Sequence, residues 1–178
     1  MENTSNMLDA RQTTSREGSK VRGIVVNGIV AALYIAVSAM IAPFGFTQVQ
    51  FRVSEIFNHL IVFNKKYLYG IILGVFLTNL FFSPMKAYDL IFGVGQSLLA
   101  LTITIGSARY VKSIWKRMMI NTLVFTFTMF LIALELHLAF DLPFLFTWLT
   151  TAAGEFVVLA VGMPIMYLIH KRVRFDKI

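Results

Sequence analysis

An all-α membrane protein of six transmembrane helices, with both termini on the cytoplasmic side, is the fold class this sequence predicts. Three features carry that expectation. Of 178 residues, 57% are hydrophobic and 14% charged, and the mean hydropathy is strongly positive. Such a composition belongs to a polytopic membrane chain, not a soluble domain. Six apolar runs follow one another at 23–42, 49–64, 67–83, 88–108, 118–140 and 146–169. At about 20 residues per crossing of a roughly 30 Å hydrocarbon core, they use most of the chain. No length remains for a soluble catalytic domain. The third feature is where Lys and Arg fall, which decides the topology below.

Residues 1–22 are polar, without periodicity or a small-residue cleavage site, and read as a flexible cytoplasmic tail rather than a signal peptide. The first helix, "GIVVNGIVAALYIAVSAMIA", sets Gly28, Ala32 and Ala36 four residues apart on one stripe. Small residues at that spacing let a second helix approach closely, whether inside the bundle or on another protein. The second run, 49–64, is short and opens on Arg52, Glu55, Asn58 and His59, which lipid rejects. The third, 67–83, is also short, and its Gly70 and Gly74 are assigned to packing within the chain.

Whether the second run crosses follows from charge, because cytoplasmic connections accumulate Lys and Arg. If all six runs cross, only Arg52 and Lys86 lie outside. If it does not, the clusters at 109–117 and 171–177 are both exported. The six-span topology is therefore expected, with a membrane domain over 23–170 and a basic cytoplasmic tail over 171–178. The +7 formal charge becomes a topological signal and not a nucleic-acid patch.

Ionisable residues at membrane depth cost about 2.5–3.5 kcal/mol each near a helix centre and default to functional hypotheses. In the six-span topology they cluster in the outer half. Asp89, Phe92 and Gln96 share one face of the fourth helix, and Trp148, Thr151 and Glu155 repeat the pattern on the sixth. An aromatic ring with a carboxylate or amide on each face suits a flat, hydrogen-bonding ligand. Stacking such a ligand is worth about 1–3 kcal/mol, and a carboxylate accepts two parallel N–H bonds. Simpler readings stand beside these. Arg52 and Glu55 fit an ion pair at a helix start, Asp89 fits the dipole of a helix N-terminus, and Glu135 and His137 fit a water-facing position. Glu155, with apolar neighbours on both sides, has no such alternative.

Nothing matches a phosphate loop or H-E-x-x-H, and no nucleophile elbow is present. The three His are scattered at 59, 137 and 170, and there is no Cys, so neither a metal centre nor a disulfide is expected. The chain reads as a binder and carrier, not an enzyme.

Three segments, "QFRVSEIFNHLIVFNKKYLYGIILGVFLTNLFFSP" (50–84), "DLIFG" (89–93) and "GEFVVLAVGMPI" (154–165), resemble the QueT family. These are substrate-binding S components of energy-coupling factor (ECF) vitamin transporters, associated with queuosine precursors. The resemblance spans about 23–170. It departs at Thr78, where the family pattern has a small residue, and at Met85-Lys86, where a glycine usually follows the proline.

The resemblance implies a six-helix S-component-like bundle in a bacterial cell membrane, capturing one ligand near the outer face. It also implies docking of the Gly28, Ala32 and Ala36 stripe on a transmembrane coupling subunit bound to two ATPase subunits, which alone use ATP. The expected ligand is a 7-deazaguanine such as preQ1, preQ0 or queuine. Arg52 and Glu55 are expected in its gate or shell. Asn79, Asp89, Gln96 and Glu155 are expected to hydrogen-bond it, and Trp148 or Phe92 to stack on it. No cofactor is expected in this chain, and its partners are the coupling module, the ligand and the bilayer. Two alternatives remain: an S component for another vitamin or nucleobase, and a small membrane-embedded enzyme or assembly protein.

Overall fold

A computed structural model describes the backbone of residues 2–45 and 51–177, and the side chains of 18, 20–41 and 51–177. Every element among the described residues is helical. They are α1 (Glu2–Gly45), a 3₁₀ segment (Val53–His59) running into α2 (Leu60–Phe63), α3 (Leu68–Phe82), α4 (Lys86–Ser107), α5 (Ile114–Thr128), α6 (Phe130–Phe140) and α7 (Phe144–Val173). The segment expected as an N-terminal tail enters α1. Four stretches are long and apolar enough to cross a membrane: Lys20–Ile41, Lys86–Ser107, Ile114–Phe140 and Phe144–Val173.

The third run is a regular α-helix, but the second takes a form that amphipathic spacing does not announce. The second is a 3₁₀ segment for seven residues and α-helix for four. At about 2.0 and 1.5 Å per residue it covers about 20 Å. Such backbone is tolerated at membrane depth only inside protein. Leu60, Ile61 and Val62 are accordingly buried, with α1 and α7 packed on the segment. Gly162 of α7 makes room for it, since a Cβ there would stand 2.8 Å from Cγ2 of Ile56.

Glycine also sets the α1–α3 contact. A Cβ on Gly70 would meet the Asn27 carbonyl oxygen at 2.7 Å, and one on Gly74 would meet Cβ of Tyr34 at 2.8 Å. The Gly70 amide donates to Asn27 Oδ1 at 2.7 Å. This pair does serve packing within the chain. Ala32 and Ala36 lie on the opposite side of α1 and Gly28 on its flank, in a surface hollow with Tyr69 and Leu73 of α3; all three are exposed, with nothing within 4 Å of a Cβ at Gly28.

A buried polar network ties the middle of the bundle together. His59 contacts the Leu159 carbonyl at 3.0 Å through Nε2 and Asn121 Nδ2 at 3.3 Å through Nδ1. Thr104 donates to Asn121 Oδ1 at 3.0 Å. His59 is therefore a satisfied core residue that joins the second segment to α4, α5 and α7. The chain ends by folding back. Arg174 adopts left-handed φ 55°, and Phe175 then packs on Phe63 and Tyr67. Asp176 is held below the ordinary carboxylate range by the hydrogen bond from Arg174.

Candidate functional site

At the end of the bundle opposite Phe175, four carboxyls converge on one guanidinium. Arg52 sits before the 3₁₀ segment, and its Nη2 lies 3.3 Å from Asp89 Oδ1, with side chains only 9% and 1% exposed. Glu55, Asp89, Glu135 and Glu155 are all buried. Arg52 is within electrostatic reach of all four. One positive charge among four buried acids leaves an excess of acceptors, and burying an unmatched charge is costly.

Local structure explains each position. Residues three apart eclipse on a 3₁₀ helix, so Asn58 lies over Glu55 and donates to its Oε2. Tyr34 donates to Oε1 at 2.7 Å, aimed by the close seat of its ring base on Gly74. Ser38 donates to Ser54 at 2.7 Å and closes the same corner.

Asp89, in the first turn of α4, is held by three residues. Arg52 pairs with it, Ser83 donates to Oδ2, and Asn79 Nδ2 donates to its backbone oxygen at 2.9 Å. The Ser83 oxygen accepts in turn from the Met85 amide at 2.9 Å, fixing the turn around Pro84. Gly93 leaves space for Asn79, whose Nδ2 would stand 2.6 Å from a Cβ there. The spacing of Asn79, Ser83, Asp89 and Gly93 is thus one interlocked unit.

The other expected residues are placed differently. Gln96 is buried between α4 and the α5–α6 junction, donating to Thr128 Oγ1 at 3.0 Å and accepting from Ser97. Trp148 is half-buried in an aromatic group with Phe127, Phe130 and Phe144, and its indole N–H donates to the Phe127 carbonyl at 3.2 Å. Phe92, half-buried, stacks with Tyr88 at 6.5 Å.

Glu155 and Glu135 are the exceptions among the acids, since no oxygen of either has a hydrogen-bond partner among the described residues. Glu55 and Arg52 are the charged neighbours of Glu155. The reading of Glu135 as water-facing is corrected. It is 0% exposed, its carboxyl facing Asp89 and within reach of Arg52, because α6 turns that face inward against α4 and α7. His137, one residue past its neighbour, does contact the surface, bonding the Leu142 carbonyl at 2.7 Å.

Tyr34, Asn58, Ser83 and Glu135 are the contributors that sequence reasoning left out of the site. A carboxylate inside "FLIALELHLAF" carries the same signal that marked Glu155. Asn58 stands among the polar residues that open the second run, but its neutral amide names no partner; Tyr34 and Ser83 are neutral too, and nothing in their spacing marks them as site residues. Beside Arg52 lies a hollow of about 20 Å³, lined in part by Tyr34, Ser38, Phe51, Thr78 and Asn79. That is room for about one water molecule.

The comparisons bear on what such a site serves. The QueT transporter family model matches residues 24–171. The chain is 35% identical over 168 residues to the queuosine precursor transporter QueT of Lactococcus lactis subsp. cremoris (strain MG1363), covering 89% of this chain and 98% of that protein. No solved structure matches it.

Proposed function

The chain belongs to the QueT transporter family, and from that premise we propose that it is the substrate-capturing S component of an ECF-type importer for a queuosine precursor. The observation that carries this reading is the buried group of four carboxyls around Arg52, with both oxygens of Glu155 and of Glu135 unpartnered among the described residues. A 7-deazaguanine presents adjacent N–H and NH₂ donors on one edge, and a carboxylate accepts such a pair side by side. An aminomethyl substituent adds a cation, which four acids and one Arg accommodate better than a neutral nitrile. The preferred ligand is therefore preQ1 or queuine over preQ0.

Orientation follows from charge. Among the described residues, one end of the bundle carries Arg22, Lys65, Lys66, the 109–117 cluster and the 171–177 tail, while Arg52 and Lys86 lie at the other. The basic end belongs in the cytoplasm, which sets the acidic site toward the outside, where a scavenged ligand arrives. The exposed stripe of Gly28, Ala32 and Ala36 then offers a coupling subunit a smooth face along α1. Two ATPase subunits on that partner supply the energy.

The test is a binding titration of the purified chain with preQ1, preQ0, queuine and guanine, beside a Glu155→Gln variant. Charge-assisted hydrogen bonds contribute about 1.5–3 kcal/mol each, so the variant weakens preQ1 by about 10- to 100-fold. Equal binding of preQ1 and preQ0 across pH removes the charge argument. Absence of binding to all four removes the ligand assignment.

A further inference from the structure

The basic end of the bundle holds a feature that ligand capture does not use. Lys65, Arg109, Lys112 and Arg117 converge on a cavity of about 470 Å³, with Ile61 and Ile105 among its lining residues. They come from three separate places: the α2–α3 connection, the α4–α5 connection and the first turn of α5. No acid pairs with any of them among the described residues, where the ion pairs involve Arg52 with Asp89, and His170 or Arg174 with Asp176. Arg117 Nε is buried without a hydrogen-bond partner.

Two further observations make this more than a solvated charge run. Lys116 and Arg117 begin α5, whose first turn contains no acid. A helix N-terminus favours anions and repels cations, so this placement is unfavourable until an anion joins them. The residues around the cavity also suit headgroup depth. Trp115 is 43% and Tyr110 87% exposed beside it, and Lys171 lies 4.9 Å over the ring of Tyr167, which contacts Trp115. Aromatic side chains with basic neighbours mark the membrane–water boundary.

We propose that Lys65, Arg109, Lys112 and Arg117 form a binding site for a phosphate-bearing anion, filled by the headgroup of an anionic phospholipid in the leaflet at the basic end. Arg presents a planar fork that matches phosphate oxygens two at a time. Ile105, partly exposed, adds an apolar edge to the cavity beside which an acyl chain can run. A lipid seated there bridges the α2–α3 and α4–α5 connections, which no ion pair among the described residues joins.

Native mass spectrometry of the full chain in micelles tests this, with phosphatidylglycerol, phosphatidylcholine and inorganic phosphate as separate probes. Wild-type chain retains phosphatidylglycerol and not phosphatidylcholine. Each charge near the surface is worth about fivefold in affinity, so R109Q/R117Q retains phosphatidylglycerol about 25-fold less, and R109K/R117K recovers part of the loss. K171Q/R172Q, at the same end but outside the cavity, retains it unchanged. If R109Q/R117Q does not fold, Lys65→Gln alone makes the comparison at about fivefold. Inorganic phosphate that displaces the lipid, and depends on the same residues, supports the site and makes a soluble anion its competing source. Equal loss in R109Q/R117Q and K171Q/R172Q, or equal retention of the two lipids, overturns the proposal.

Discussion

Tyr34 shows how a single hydroxyl enters a membrane site without announcing itself. Its oxygen donates to a buried Glu55 oxygen at 2.7 Å, and its ring is seated against Gly74. Tyr34→Phe keeps the ring and removes the donor, leaving a buried carboxylate short of one bond. The expected cost is about 1–3 kcal/mol, read as a lower melting temperature of the purified chain. Unchanged melting means that Glu55 is satisfied some other way. Glu155 and Asp89 were legible because an acid inside an apolar helix needs a reason to be there. Tyr34 was not, since a neutral polar side chain is ordinary on any helix and its partner Glu55 lies on another segment. Glu135 was legible in principle. Its closeness to the helix end, next to His137, made the surface the simpler account until the facing of α6 was known.

Helix α1 works as an element with two unlike sides. Toward α3 it presents Asn27 and Tyr34 to Gly70 and Gly74; away from the bundle it exposes Ala32 and Ala36, with Gly28 on the flank. The two sides predict opposite behaviour. Gly74→Ala pushes a methyl to 2.8 Å from Tyr34 Cβ, overpacking that costs about 1–3 kcal/mol and disturbs ligand binding through Tyr34. Ala32→Leu leaves stability and binding unchanged in the isolated chain. In cells it cuts uptake by on the order of tenfold, as a clash of similar size at a partner helix requires. Uptake equal to wild type removes the coupling role from this stripe. Spacing alone exposed both stripes, but which one faces inward depended on what stands opposite. Two other features were hidden. The 3₁₀ segment has period three, and its mixture of polar and apolar residues satisfies a helix reading equally well. The break between α5 and α6 contains neither Gly nor Pro; Thr128 Oγ1 instead bonds the Phe125 carbonyl at 3.0 Å, a local competition that bends helices.

For the whole molecule, the decisive question is how many times the chain crosses, because the parity sets which side the acidic site faces. Four helices are long enough without help. The segment 53–63 covers about 20 Å and the 15 residues of α3 about 22 Å, both short of a roughly 30 Å core. Contacts nevertheless place their ends about three turns apart along α1. Ser54 meets Ser38, whereas Gly70 meets Asn27 and Phe63 stacks on His170 at 4.0 Å. A segment that begins beside Ser38 and ends beside the α7 terminus has traversed the bundle, short as it is. A bilayer crossing by so short a segment requires that the bilayer thin or the helices tilt to match. The sequence has no Cys, so single replacements at exposed positions report sidedness cleanly. Lys65→Cys is expected to react with an impermeant maleimide only after the cells are opened, and Lys86→Cys in intact cells. Labelling of both from outside would mean that 67–83 does not cross; labelling of neither would put Lys86 inside with Lys65. Either result reverses or breaks the charge-based topology, and with it the placement of Arg52 and its four acids on the side from which a scavenged ligand must come.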